Sequence, residues 1–167
     1  MEQGNPDDMT MKTNWKQTLT VRYFGFTKIP LIFFVKPQVI QLDKTQCKIR
    51  IPLRRRSKNH LHSMYFGALA IGADLASGLL AMQMIARSEK KISLVFKDMQ
   101  ADFLKRVDAD AIFTCTDGEK ISSLIQEVIL TGERQHKSLN IKVTAPDKYG
   151  DEILATFTLT LSLKLKD

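Results

Sequence analysis

The 167-residue chain has only two cysteines, Cys47 and Cys115. Two thiols make no disulfide framework and match no metal-ligand spacing, which argues against a stapled scaffold and a cysteine-based metal site. Both fall in stretches that read as strands, where a free cysteine behaves as a small buried hydrophobe. No secretory signal is visible either. The first dozen residues are polar, with Glu2, Asp7 and Asp8, and no basic start leads into an apolar run. A cytoplasmic protein is expected, with no cofactor and no metal. There is no internal repeat and no low-complexity segment. Acid is scarce: 18 Asp and Glu against 25 Lys and Arg leave a net charge of +7. That excess favours an anionic partner, such as nucleic acid, a phosphorylated metabolite or a membrane surface.

With 44% apolar and 26% charged residues, the composition is that of a globular domain. The length suggests one domain with a short N-terminal extension. Residues 1–12 read as a loose tail and Trp15 to Phe26 as a short helix. Ile29 to Val35 is an apolar run interrupted by Pro30, expected as a buried connector or a cavity lining. Cys47, Ile49, Ile51 and Leu53 alternate with polar residues or proline, the pattern of a half-buried strand. Further alternations run from Ile92 to Phe96, irregularly on to Phe103, over Ala109 to Thr116 and over Leu139 to Ala145. The clearest is the last, where Ile153 to Leu165 alternate with Thr, Ser and Lys. Thr116 three residues before Glu119 has capping-box spacing. It precedes Ile121, Leu124, Ile125, Val128 and Ile129, an amphipathic helix that Gly132 ends. These elements predict an α+β fold in which one curved, mostly antiparallel sheet wraps a long central helix.

That helix spans about Ser63 to Arg87. From Met64 to Ala86 its only charge is Asp74. An acid at the centre of a membrane span costs about 2.5–3.5 kcal/mol, so a helix enclosed by protein fits better than a span. At 100° per residue Asp74 shares a face with Gly67, Ala70, Ile71, Ser77, Gly78 and Ala81. A carboxylate on this stripe of small residues either anchors a neighbouring loop or serves catalysis or ligand binding. Before the helix, Lys48, Arg50, Arg54, Arg55, Arg56 and Lys58 lie within eleven residues with no acid among them. The run is either a solvated loop or a phosphate contact. It lacks an obvious base-stacking aromatic, and no nucleic-acid-binding motif is visible, so nucleic acid is not expected.

The stretch Asn59-His60-Leu61-His62-Ser63-Met64-Tyr65-Phe66-Gly67-Ala68-Leu69, continuing to Asp74, resembles the hotdog-fold acyl-CoA thioesterases of the phenylacetate-pathway (PaaI) type. It is most similar to a less characterised branch that keeps Lys28-Ile29-Pro30. The resemblance covers roughly residues 28–165. It implies a hotdog domain over 28–167, preceded over 1–27 by the tail and short helix. It also implies hydrolysis of acyl-CoA-type thioesters by a homodimer or a dimer of dimers, with sites shared between subunits. By position the family's loop asparagine falls on Asn59 and its helix acid on Asp74. The family's His-Gly-Gly falls on Phe66-Gly67-Ala68, so the histidine is replaced. His60 and His62 are near but not at that position, and each reads as a plain loop histidine.

The resemblance thus implies Asn59, Gly67 and Asp74 as catalytic. Asp74 would be base or nucleophile, Asn59 would orient water or hold the carbonyl, and Gly67 would let the thioester approach a helix N–H. Phe66, Ala68, Ser77, Arg54, Arg55, Arg56 and Lys58 would contact substrate. The missing histidine keeps a second reading open, a non-catalytic acyl or acyl-CoA binding module.

Overall fold

The computed structural model describes residues 13–166, so the tail expected over residues 1–12 lies outside the described residues. Six strands form one antiparallel sheet: β1 (Gln38–Leu42), β2 (Cys47–Ile51), β3 (Ile92–Phe103), β4 (Ala111–Cys115), β5 (Gln135–Thr144) and β6 (Ala155–Leu165). Their order across the sheet is β1-β2-β4-β5-β6-β3. Five helices accompany them: α1 (Trp15–Lys28), α2 (Pro30–Val35), α3 (Phe66–Arg87), α4 (Gly118–Thr131) and α5 (Pro146–Tyr149). The sheet curls around α3, giving the expected hotdog fold.

The alternation in β6 sets the core. Ala155, Phe157, Leu159, Leu161 and Leu163 are all buried. In β3, Ile92, Leu94 and Phe96 pair with Leu165, Leu163 and Leu161 of β6, and Met99, Ala101 and Phe103 pair with Leu159, Phe157 and Ala155. The register slips between Phe96 and Met99. This β-bulge is the physical reason for the irregular alternation, since one extra residue reverses the parity of everything beyond it. Cys47 and Cys115 face each other across β2 and β4, and both are buried free thiols.

α3 lies against the sheet through small residues. A Cβ added at Gly72 would sit 2.4 Å from the Phe113 ring, so glycine allows the close approach. Among the described residues α3 is the one helix long and apolar enough to cross a membrane, but half of that window is buried inside the fold. α1 is tied to β1: the Asn14 N–H donates to the Val39 carbonyl at 2.7 Å, and the Val39 N–H donates to Thr18 Oγ1 at 2.8 Å.

Several boundaries differ from the sequence reading. Ile29 to Val35 lines a cavity through Ile29 and Ile32 but is not buried throughout, since Leu31 and Phe34 are exposed; Pro30 opens the short helix α2, a first-turn position where its missing N–H costs nothing. α3 begins at Phe66 rather than near Ser63, because the Met64 N–H donates to Val107 and the Tyr65 N–H to Ser57, holding both residues extended. The capping box does not form. Asp117 is the N-cap of α4, its side chain caps nothing there, and its Oδ2 instead accepts from the Asn140 N–H.

Candidate active site at the two ends of a buried helix

At the N-terminal end of α3 the loop from Pro52 to Tyr65 is folded onto itself. Ser57 is buried, and its hydroxyl donates to the Pro52 carbonyl at 2.7 Å and accepts from the Arg54 N–H at 3.0 Å. Asn59 organises the next turn. Its Oδ1 accepts from the Leu61 N–H at 2.9 Å, the Ser63 N–H at 3.2 Å and the Ser63 hydroxyl at 3.3 Å. The oxygen is therefore committed to the loop, while Nδ2 donates to none of the described residues. Both roles expected for Asn59, orienting water or holding the carbonyl, would therefore fall to Nδ2 as donor.

The first turn of α3 offers further donors. Tyr65, the N-cap, makes no side-chain capping bond, and its carbonyl already accepts from Ala68 and Leu69. The N–H groups of Phe66 and Gly67 thus point out of the helix end without a partner among the described residues, at the positive end of the helix dipole. The Tyr65 ring covers Gly67, where an added Cβ would lie 2.6 Å from Cε1. The Tyr65 and Phe66 rings stack obliquely at 4.7 Å. A cavity of about 420 Å³ opens here between Asn59, His60, Phe66, Phe103, Lys105 and Arg106.

Asp74 stands two turns further along, about 10 Å up the axis from Gly67. It lines a different cavity, of about 650 Å³, whose other walls are apolar: Leu75, Leu79 and Met82 of α3, Leu94 and Phe96 of β3, and Phe24, Ile29 and Ile32 of the N-terminal helices. Its side chain accepts no hydrogen bond from the described residues. Gly78, one turn on, leaves the carboxylate open, with Oδ1 only 3.8 Å from where a Cβ would be. Burial without a partner pushes the Asp74 carboxyl above its ordinary value. The loop-anchor alternative for this acid finds no support among the described residues, where no backbone N–H donates to it.

The remaining sequence candidates scatter. Ala68 is buried and borders neither cavity. Ser77 is fully buried, and its hydroxyl donates back to the Ala73 carbonyl at 2.8 Å, so it faces its own helix rather than a ligand. Arg54 reaches Asp110 at 3.4 Å, and Arg56 lies 5.3 Å from the Phe34 ring centroid. Arg55 and Lys58 are exposed and make no ion pair with the described residues. None of the four cations borders either cavity. The cations that do are Lys105 and Arg106, which the sequence shows only as a turn after a strand. Phe24 was likewise invisible as a cavity wall, since nothing in a single sequence says that α1 folds back over α3. Among the described residues no cluster of three potential metal ligands occurs.

The comparisons agree with this architecture. A family described as a domain of unknown function (DUF4442) matches residues 17–163. No curated protein matches the chain. Among solved structures, the protein PA5026 of Pseudomonas aeruginosa, described as of unknown function and a probable thioesterase, is 23% identical with a TM-score of 0.75, covering 89% of this chain and 96% of that one. A protein of unknown function from Chlorobaculum tepidum is 14% identical with a TM-score of 0.78, covering 93% and 98%. A mutant of the thioesterase PA1618 from Pseudomonas aeruginosa is 11% identical with a TM-score of 0.67, covering 89% and 94%. At these identities the likeness is one of fold.

Proposed function

The chain belongs to the DUF4442 family, whose name carries no activity, and from the geometry we propose that it hydrolyses acyl-CoA-type thioesters at sites shared between two copies. The observation that carries this reading is Asp74: an unpartnered carboxylate, partly buried, opening into an apolar cavity large enough for an acyl group. Water attacks the thioester carbonyl while Asp74 takes its proton. The oxyanion is held by the free N–H groups of Phe66 and Gly67 and by Asn59 Nδ2. The tetrahedral adduct then collapses, the C–S bond breaks, and the thiolate leaves with the proton that Asp74 returns. A carboxylate raised by burial is a better base near neutrality than an exposed one. Direct attack by Asp74, which breaks the C–S bond, expels the thiolate and gives an anhydride that water then opens, uses the same residues.

Within one protomer the donors and the acid belong to separate cavities, which supports a site completed by a second copy. β3 supplies a plausible seam. It is twelve residues long, pairs among the described strands with β6 alone, and leaves Val95, Met99 and Phe103 exposed. A long, apolar, uncovered edge of this kind is normally paired. A twofold axis beside it would bring the donor end of one α3 towards the acid of the other. Lys105 and Arg106, bordering the donor cavity, suit the phosphates of the thiol carrier, with Arg55 and Lys58 on the adjoining loop.

The test is an acyl-CoA panel with a thiol reagent, run on wild type and Asp74→Asn. Release of thiol by the wild type alone supports the reading. The second reading, a binding module, is favoured by Phe66 in place of the histidine and by the Tyr65 ring over Gly67. Saturable acyl-CoA binding with no thiol release would establish it instead.

A further inference from the structure

We propose that the outward face of α1 and α2 docks on an anionic lipid surface. α1 is apolar on two sides. Thr18, Val21 and Gly25 face the body, while Trp15, Leu19, Tyr23 and Phe26 face away and are all more than half exposed. At 100° per residue these four fall within an arc of about 80°, with Arg22 on one flank and Lys16 on the other. α2 continues the surface with Leu31 and Phe34, and Ile29 joins the two helices. A stripe of seven exposed large apolar residues on two consecutive helices is not the scattered exposure of an ordinary monomer.

The charge on this surface has one sign. From Trp15 to Leu42 the chain has no Asp or Glu, yet it carries Lys16, Arg22, Lys28 and Lys36. Lys36 lies 5.4 Å from the Phe33 ring centroid, and Arg56 reaches in to stack on Phe34, adding a cation from the basic loop. Apolar residues with Trp and Tyr among them, flanked by Lys and Arg, match the acyl boundary and the phosphate layer of an anionic leaflet. A second copy fits poorly. A twofold contact through this face would press two helices that carry cations and no acid against each other, and the β3 edge already offers a separate place for pairing. On their inner side the same helices wall the Asp74 cavity through Phe24 and Ile32, so docking would set that cavity beside the lipid.

Trp15, the chain's single tryptophan, lies on the proposed face and reports on it. The full chain is mixed with vesicles of phosphatidylcholine alone and with added phosphatidylglycerol. The expected result is a blue shift of the emission with the anionic vesicles only, quenching by brominated lipid, co-flotation, and reversal by high salt. Leu19→Ser with Tyr23→Ser should weaken partitioning by roughly tenfold or more, and Lys16→Glu with Lys36→Glu should do likewise, both with unchanged circular dichroism. These residues lie outside the proposed hydrolytic site, so thiol release from soluble acyl-CoA should persist in both variants. No shift and no flotation with anionic vesicles would overturn the proposal, as would equal binding to both lipids. A lipid-free, concentration-dependent blue shift that accompanies a rise in mass would overturn it in favour of self-association.

Discussion

The two ends of α3 are built in opposite ways. At the N-terminal end the acceptors nearest the helix are occupied: Asn59 Oδ1 takes three donors, the Tyr65 carbonyl takes two, and Ser57 ties the loop to itself. What is left over is donors. Around Asp74 the situation is reversed, with a bare acceptor in an apolar cavity and no donor for it. One end is rigid and electrophilic, the other basic and poorly solvated. A thioester hydrolase needs both, and a single protomer keeps them in separate cavities. The contrast is what the proposed two-copy site rests on: complementary helix ends that one protomer holds apart.

The largest expected effect of breaking this contrast is at the acid. Asp74→Asn should lower turnover by about 10²–10⁴-fold. It should also reveal a cost to stability. The unfolded carboxyl titrates near 3.8, and burial raises the folded value above that. The folded state therefore keeps its proton longer, so wild-type stability falls as pH rises between the two values and stays reduced above them. The asparagine variant escapes this loss. Its melting temperature relative to wild type should rise with pH to a plateau, and the gap should narrow in acid. A pH-independent gap in thermal scans would mean the carboxyl is not the strained group.

At the donor end, Asn59→Asp keeps the loop's acceptor, replaces the free Nδ2 donor with an oxygen and adds a negative charge beside the proposed oxyanion position. Turnover should fall by about 10–100-fold with the fold intact. Mixing this variant with Asp74→Asn then separates shared from single-chain sites. Random exchange of subunits should recover about a quarter of wild-type activity, because half of the dimers carry one site with neither substitution. Recovery of nothing from verified hybrids would place both groups in one protomer. Third, Val95→Lys should weaken association by about tenfold through a charge on the uncovered edge, seen as a shift to monomer in sedimentation. The smallest effect belongs to Gly67→Ala, at about 1 kcal/mol, since the Tyr65 ring is exposed enough to move aside. Tyr65→Ala should suppress it in a double-mutant cycle measured by denaturant unfolding.

Much of this was legible in the sequence where a single period governs a segment. β6 alternates without a break, so its face, its length and its place in the core could be read directly. α3 and its lone acid stand out because a charge in a long apolar stretch is conspicuous. Parity failed at the bulge in β3, where one extra residue reverses the pattern and no local signal announces it. Pairings between distant segments were invisible for a different reason. Phe24 walls the Asp74 cavity only because α1 folds back, and Lys105 and Arg106 meet Asn59 only because the chain returns after β3. The basic run before Asn59 was the loudest charge signal, yet its cations stand outside both cavities. The division of labour within Asn59, oxygen to the loop and nitrogen free, depends on hydrogen bonds that a residue type alone does not specify.

Cys47 and Cys115, opposed across β2 and β4, carry a practical consequence. Burial pushes the Cys115 thiol up to about 11 and Cys47 higher still, so neither forms a thiolate at assay pH. The native protein is thus silent towards the very reagent that would detect released coenzyme A. Any slow background colour that tracks protein concentration rather than substrate counts unfolded molecules, and every activity trace carries its own record of how much of the sample is folded.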